Sequence, residues 1–104
     1  MNTQGWMRGL MAKNSRVDEF LKLVTNTISM EFEMEYNIEE TETNFIITFN
    51  NKYKITITPY EAKWMQNKSP YSLDKHILEN LRNQGLEYDN NRSQYVKYCN
   101  DIFN

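Results

Sequence analysis

Val17, Phe20, Leu21, Val24 and Ile28 recur at helical spacing, and from Glu31 onward the apolar period shortens to two. Ser15 stands where a cap is wanted, and Asp18 and Glu19 fall in the positive first turn, so the pattern predicts a helix over about 15–29. Phe32, Met34, Tyr36 and Ile38 then alternate with Glu31, Glu33, Glu35 and Asn37, as in a strand with one buried face. Two further strands follow. A two-residue turn at Asn50-Asn51 would put Phe45, Ile47 and Phe49 on the face of Lys52 and Lys54. A three-residue loop, Asn50 to Lys52, instead pairs Phe49 with Tyr53, Ile47 with Ile55 and Phe45 with Ile57, which makes one continuous apolar face and is the register expected.

The second half reads as helical. Thr58 as cap, Pro59 at the first helical position and Glu61 as the reciprocal partner predict a short helix over about 59–67. Ser72 is expected to cap the next helix, about 72–84, with Leu73, Ile77 and Leu81 inward and Gly85 as a left-handed stop before Leu86. In the last segment Asn91 with Gln94 resembles a capping box, and Tyr95, Val96, Cys99, Ile102 and Phe103 match helical spacing. The rival there is a hairpin within about 86–98. At the other end, Gly5 and Gly9 surround Trp6, Met7, Leu10 and Met11. This stretch, 1–14, is read as a flexible arm, with a short docking helix as the other possibility. The fold class expected is α+β: an N-terminal helix, a three-stranded antiparallel sheet, a helix-turn-helix pair and a C-terminal helix, in one domain over 15–104.

A chain of 104 residues holds one core, and its aromatic share of 13% is too rich for a disordered segment, so it is expected to fold as one unit. No apolar run approaches the roughly 20 residues that span a bilayer, and the first residues lack the apolar run of a signal peptide. With a lone cysteine, Cys99, read as a small buried hydrophobe, these features lead us to expect a cytoplasmic protein. Charge is unevenly spread. Residues 31–42 carry six glutamates and no base, whereas residues 43–104 carry eight bases against six acids.

The chemistry of sites finds little to build on. Glu31, Glu33 and Glu35 on one strand face would stand roughly 7 Å apart, side by side, whereas a hard cation needs oxygens converging at about 2.0–2.6 Å. A wet outer face that blocks sheet-to-sheet association is the reading preferred, and no metal is expected. His76, the single histidine, has no second histidine or neighbouring cysteine for zinc. With glycines only at positions 5, 9 and 85 there is no phosphate-cradling loop. We therefore expect a non-enzymatic protein without cofactor.

The helix pair, its short "KSPY" connection and the outgoing "LRNQGLEYD" resemble the helix-turn-helix of winged-helix DNA-binding proteins, over residues 58–98. Leu81, Gly85 and Leu86 match the end of that family's second helix, and Glu61 and Ala62 its supporting helix. The wing departs, because this sequence looks helical where the family has a hairpin, and three strands precede the pair. The resemblance implies double-stranded DNA as partner, read by Ser72, Lys75, His76, Arg82 and Asn83 on the outer face of the second helix. Lys68 in the turn and Arg92 in the "DNNRSQ" loop would grip backbone or minor groove, with Lys52 and Lys54 at the hairpin tip as a second contact. A homodimer acting as a regulator, or as an accessory factor of plasmid maintenance or conjugative transfer, follows as the expected function. The alternative is a phage or mobile-element inhibitor or adaptor whose acidic block, Glu31 to Glu42, binds a basic protein.

Overall fold

The computed structural model describes residues 3–102, and side chains within 5–100. The order is α1 (Thr3–Asn14), α2 (Val17–Phe32), β1 (Tyr36–Glu40), β2 (Phe45–Phe49), β3 (Tyr53–Ile57), α3 (Pro59–Lys68), α4 (Ser72–Asn83) and α5 (Gln94–Lys97), which runs into a π-helical turn, Tyr98–Ile102. This is the expected α+β class and order, with one helix added at the front.

The sheet has the order β1-β2-β3, antiparallel throughout. Phe49 faces Tyr53, Ile47 faces Ile55 and Phe45 faces Ile57, as the continuous apolar face requires. Asn50 and Asn51 sit at φ of 53° and 54°, and the Lys52 amide donates to the Phe49 carbonyl at 3.0 Å. Two consecutive left-handed residues closed by that bond are what a two-residue hairpin turn needs, and asparagine tolerates the conformation. Lys52 is the extra residue that restores the apolar register, so the turn preference and the core pattern are both satisfied.

One side of this sheet packs on α2 and α4. Phe20, Leu21, Val24 and Ile28 of α2, Ile47 and Phe49 of β2, and Leu73, Ile77, Leu78 and Leu81 of α4 are all essentially inaccessible. Each such side chain contributes about 1.5–3 kcal/mol by leaving water. Cys99 is buried as expected, and burial pushes its thiol far above the ordinary value.

The helix ends teach where local signals lose. α2 starts at Val17, so its cap position is Arg16, one residue past Ser15, with no side-chain cap; the Ser15 carbonyl accepts from the Gln66 side-chain amide at 2.8 Å. It also runs beyond residue 29 to Phe32. Glu33 turns left-handed (φ 53°, ψ 47°), and the Met34 amide closes the end on the Ser29 carbonyl at 2.9 Å. Phe32 follows Val24 and Ile28 at intervals of four, so it extends the helical stripe as readily as it starts a strand, and its ring meets Tyr88 edge-on at 5.2 Å. The row of glutamates expected on one strand therefore does not form.

α3 begins on the expected capping box: the Glu61 amide donates to Thr58 Oγ1 and the Thr58 amide to Glu61 Oε1, at 3.0 and 3.2 Å. It ends because Pro70 excludes the helical region for Ser69, which is extended at φ −161°. α4 is not capped by Ser72; its cap position is Tyr71, and the Ser72 hydroxyl pairs with that of Ser69. Its end is the one expected: Gly85 lies at φ 108°, Leu86 donates to the Leu81 carbonyl and Gly85 to that of Arg82, both at 3.0 Å. The hairpin considered for 86–98 is absent, and α5 is capped by Ser93 instead of Asn91, through Ser93 Oγ and the Val96 amide at 3.1 Å.

Candidate functional site

Where an arm was expected over 1–14, residues Thr3–Asn14 form α1, and a buried polar centre docks it. Arg8 donates twice to Asp74 in the first turn of α4, at 3.1 and 2.9 Å, in the two-pronged geometry that suits guanidinium and carboxylate. The Tyr95 hydroxyl reaches the same carboxylate from α5. The Arg8 guanidinium lies 4.7 Å from the Tyr71 ring centre and 5.5 Å from that of Phe20. Burial is the largest single influence and opposes the Arg8 charge, but Asp74, Tyr95 and Tyr71 together more than offset it and hold the guanidinium above its ordinary value. Burial raises the Asp74 carboxyl as well, against the pull of Arg8 and Tyr95. Gln66 completes the joint by donating to the Ala12 carbonyl at 2.6 Å, which satisfies one of the unpaired groups at the end of α1. Nothing in the local sequence around Arg8 announces this, since its partner lies 66 positions away.

The residues expected to contact DNA fall into separate groups. Lys68, Ser72, Lys75 and His76 line one depression of about 390 Å³ with Trp64 and Glu79. Lys68 is exposed there, Lys75 and His76 are half-buried, and Ser72 is buried. His76 is held by Asn80, whose amide donates to the His76 carbonyl at 3.0 Å. Asn83 is exposed at the end of α4.

Arg82 and Arg92 are instead committed to internal joints. Arg82 donates to the Tyr88 carbonyl at 2.9 Å and to Asn90 Oδ1 at 2.8 Å, and stacks 4.0 Å from the Tyr88 ring centre, tying the segment after Gly85 back onto α4. Arg92 donates to Glu31 Oε2 at 2.7 Å and to the Glu31 carbonyl at 3.1 Å, over the Phe32 ring. That places a cation on the negative end of α2 and fastens the start of α5 there. Lys52 and Lys54 belong to the hairpin, both exposed. The Lys54 backbone amide and carbonyl are taken by the Gln84 side chain at 3.0 and 2.8 Å, which closes part of the β3 edge.

Of the acidic block, Glu31 is spent on Arg92, while Glu33, Glu35, Glu39, Glu40 and Glu42 are exposed on a helix cap, a linker, a strand and a loop. Among the described residues no group of three or more His, Cys, Asp or Glu side chains is placed to hold a metal ion. No described helix is long and apolar enough to cross a membrane.

A surface not expected from the sequence adjoins the α4 depression. Tyr60 and Trp64 of α3 are 79% and 56% exposed, and Trp6 of α1 is 56% exposed, which is unusual for such large rings. Lys68 Nζ lies 5.2 Å from the Trp64 ring centre. The stretches 3–14 and 62–73 contain Lys13, Lys63 and Lys68 and not one acidic residue. That run of sequence was the available signal, together with Tyr60, Trp64 and Lys68 at intervals of four on one helical stripe. Compared with models of protein families, with curated proteins and with solved structures, the chain matches none of them.

Proposed function

We propose that this is a small, non-enzymatic DNA-binding protein whose working surface is the face shared by α1, α3 and the start of α4. One observation carries the reading: Lys13, Lys63 and Lys68 stand around the exposed rings of Trp6, Tyr60 and Trp64, and the stretches 3–14 and 62–73, which supply all of these but Tyr60, hold no carboxylate; Lys75 lines the adjoining depression, which also holds Glu79. Clustered cations neutralise phosphates and release their counterions, so affinity comes from the cluster and not from the total charge, which is −2. In this reading Lys68, Lys75 and His76 act as contacts, whereas Arg82 and Arg92 brace the scaffold behind them.

The test is retention of labelled DNA, as annealed duplex and as separated strands, at about 50 and about 200 mM salt. Binding of either form that weakens steeply with salt, and whose salt slope falls by about one for each of Lys63→Ala, Lys68→Ala and Lys75→Ala, supports the reading. Retention of neither form rejects it. Sedimentation of the free protein tests the two-fold dimer expected from the sequence.

A second reading rests on Glu33, Glu35, Glu39, Glu40 and Glu42, all left exposed near β1. These would steer an inhibitor or adaptor to a basic protein. Reversal of Glu33, Glu35 and Glu39 to lysine separates the two, since DNA retention is then preserved or improved while capture of a basic partner is lost.

A further inference from the structure

We infer that the DNA taken by this face is single-stranded, with unpaired bases stacked on Tyr60, Trp64 and Trp6 and phosphates held by Lys63, Lys68 and Lys13. The inference rests on the DNA-binding reading above and replaces the duplex expected from the sequence.

Three features point the same way. First, the rings are open. Tyr60, Trp64 and Trp6 are each more than half exposed, so none of them is explained by the core. Second, their spacing suits bases. Tyr60 and Trp64 are four positions apart on α3, an advance of about 6 Å along the helix axis, near the thickness of one base held between two rings. Trp64 borders a depression of about 360 Å³ with Tyr60, Lys63, Asn67 and Lys68. A neighbouring depression, also about 360 Å³, carries Trp6 and Lys13 and shares Asn67 and Lys68 with the first, so the aromatic path continues from α3 onto α1. Third, the cations are interleaved with the rings. Lys68 Nζ sits over one face of the Trp64 ring, 5.2 Å from its centre, so a base stacks on the other face, or on this one after Lys68 swings to a phosphate.

Duplex DNA can use the lysines of such a surface but not its rings without unstacking, because its base faces are stacked on one another. A single strand presents them, and every base has a face to offer, so recognition of this kind is tolerant of sequence.

The experiment measures anisotropy of a labelled oligothymidylate about 16 nucleotides long, and of a mixed-sequence duplex of the same length, against the full chain and the variants Trp64→Ala, Tyr60→Ala and Trp64→Phe. Binding of the oligothymidylate should exceed that of the duplex and quench tryptophan emission. Trp64→Ala and Tyr60→Ala should each weaken it roughly 5- to 100-fold, and Trp64→Phe should restore most of the loss. These variants alter exposed side chains, and circular dichroism confirms that each remains folded. Duplex binding equal to or tighter than that of the single strand, unchanged by Trp64→Ala, overturns the inference and leaves the DNA-binding reading standing. Failure of both nucleic acids overturns both. A self-associated protein that Trp64→Ala dissociates would assign the face to a second copy of the chain, and overturns the inference as well.

Discussion

Two joints of comparable burial hold this protein together, and they are made of opposite materials. The sheet meets α2 and α4 through Phe20, Val24, Ile28, Ile47, Phe49 and Ile77, with no side-chain hydrogen bond needed between them. α1 meets α4 and α5 through Arg8, Asp74 and Tyr95, where each polar atom depends on a particular partner. An apolar joint loses stability in proportion to what is removed, because dispersion and desolvation are spread over many contacts. A buried ion pair fails abruptly, because the surviving member is left charged out of water.

The largest expected effect breaks the polar joint. Arg8→Ala should cost about 3–5 kcal/mol at neutral pH by stranding Asp74, measured by urea denaturation. Its pH dependence gives the sign. Burial raises the folded Asp74 value above the ordinary 3.8, and removal of Arg8 takes away its main counterweight and raises it further. A group raised on folding contributes its stability in full below the ordinary value and loses it as pH rises through the folded one. The deficit of Arg8→Ala relative to the native chain should therefore be smallest near pH 3.8 and below, and grow toward neutrality. A deficit that stays flat with pH would show that Asp74 is not the group stranded.

Next in size is Ile47→Ala in the apolar joint, about 2–5 kcal/mol from lost transfer energy and the cavity left behind. No titratable group is lost with it, so its cost should be the same at pH 4 and pH 7 to within about 0.5 kcal/mol. The smallest effect has the opposite sign. Among the described residues the Thr25 hydroxyl is buried in the apolar joint with no hydrogen-bond partner. Thr25→Val removes that desolvation cost at nearly constant shape and should raise stability by about 1 kcal/mol, seen as a higher urea midpoint with an unchanged slope. A loss instead would mean that the hydroxyl is satisfied by water.

Much of the scaffold was legible. Thr58, Pro59 and Glu61 mark the start of α3 because a capping box is completed within four residues. Gly85 marks the end of α4 because its φ of 108° suits no other residue well. The β2–β3 register was readable because only one pairing keeps Phe45, Ile47, Phe49, Tyr53, Ile55 and Ile57 on one side. The errors share a cause. Phe32 fits both periods, and Ser15, Ser72 and Asn91 are plausible caps displaced by a helix start at Arg16, by a bond between the Ser72 and Ser69 hydroxyls, and by a cap at Ser93. The candidate site was legible in part: Lys68, Lys75 and His76 share a depression, but the surface charge of Arg82 and Arg92 gave no hint that Tyr88, Asn90 and Glu31 would occupy them.

What the chain determines by itself is whatever is settled within a turn or along one period: that three helices lie near 15–29, 59–67 and 72–84, the capping box at Thr58, the hairpin and its inward face, and the left-handed stop at Gly85. Only the tertiary structure decides that α1 docks through Arg8 to a carboxylate 66 positions away, which arginines are spent on joints, and which rings stay in solvent. The physical reason is range. Periodicity and capping act between near neighbours, whereas a buried charge, an exposed tryptophan or an occupied guanidinium depends on which distant elements arrive beside it.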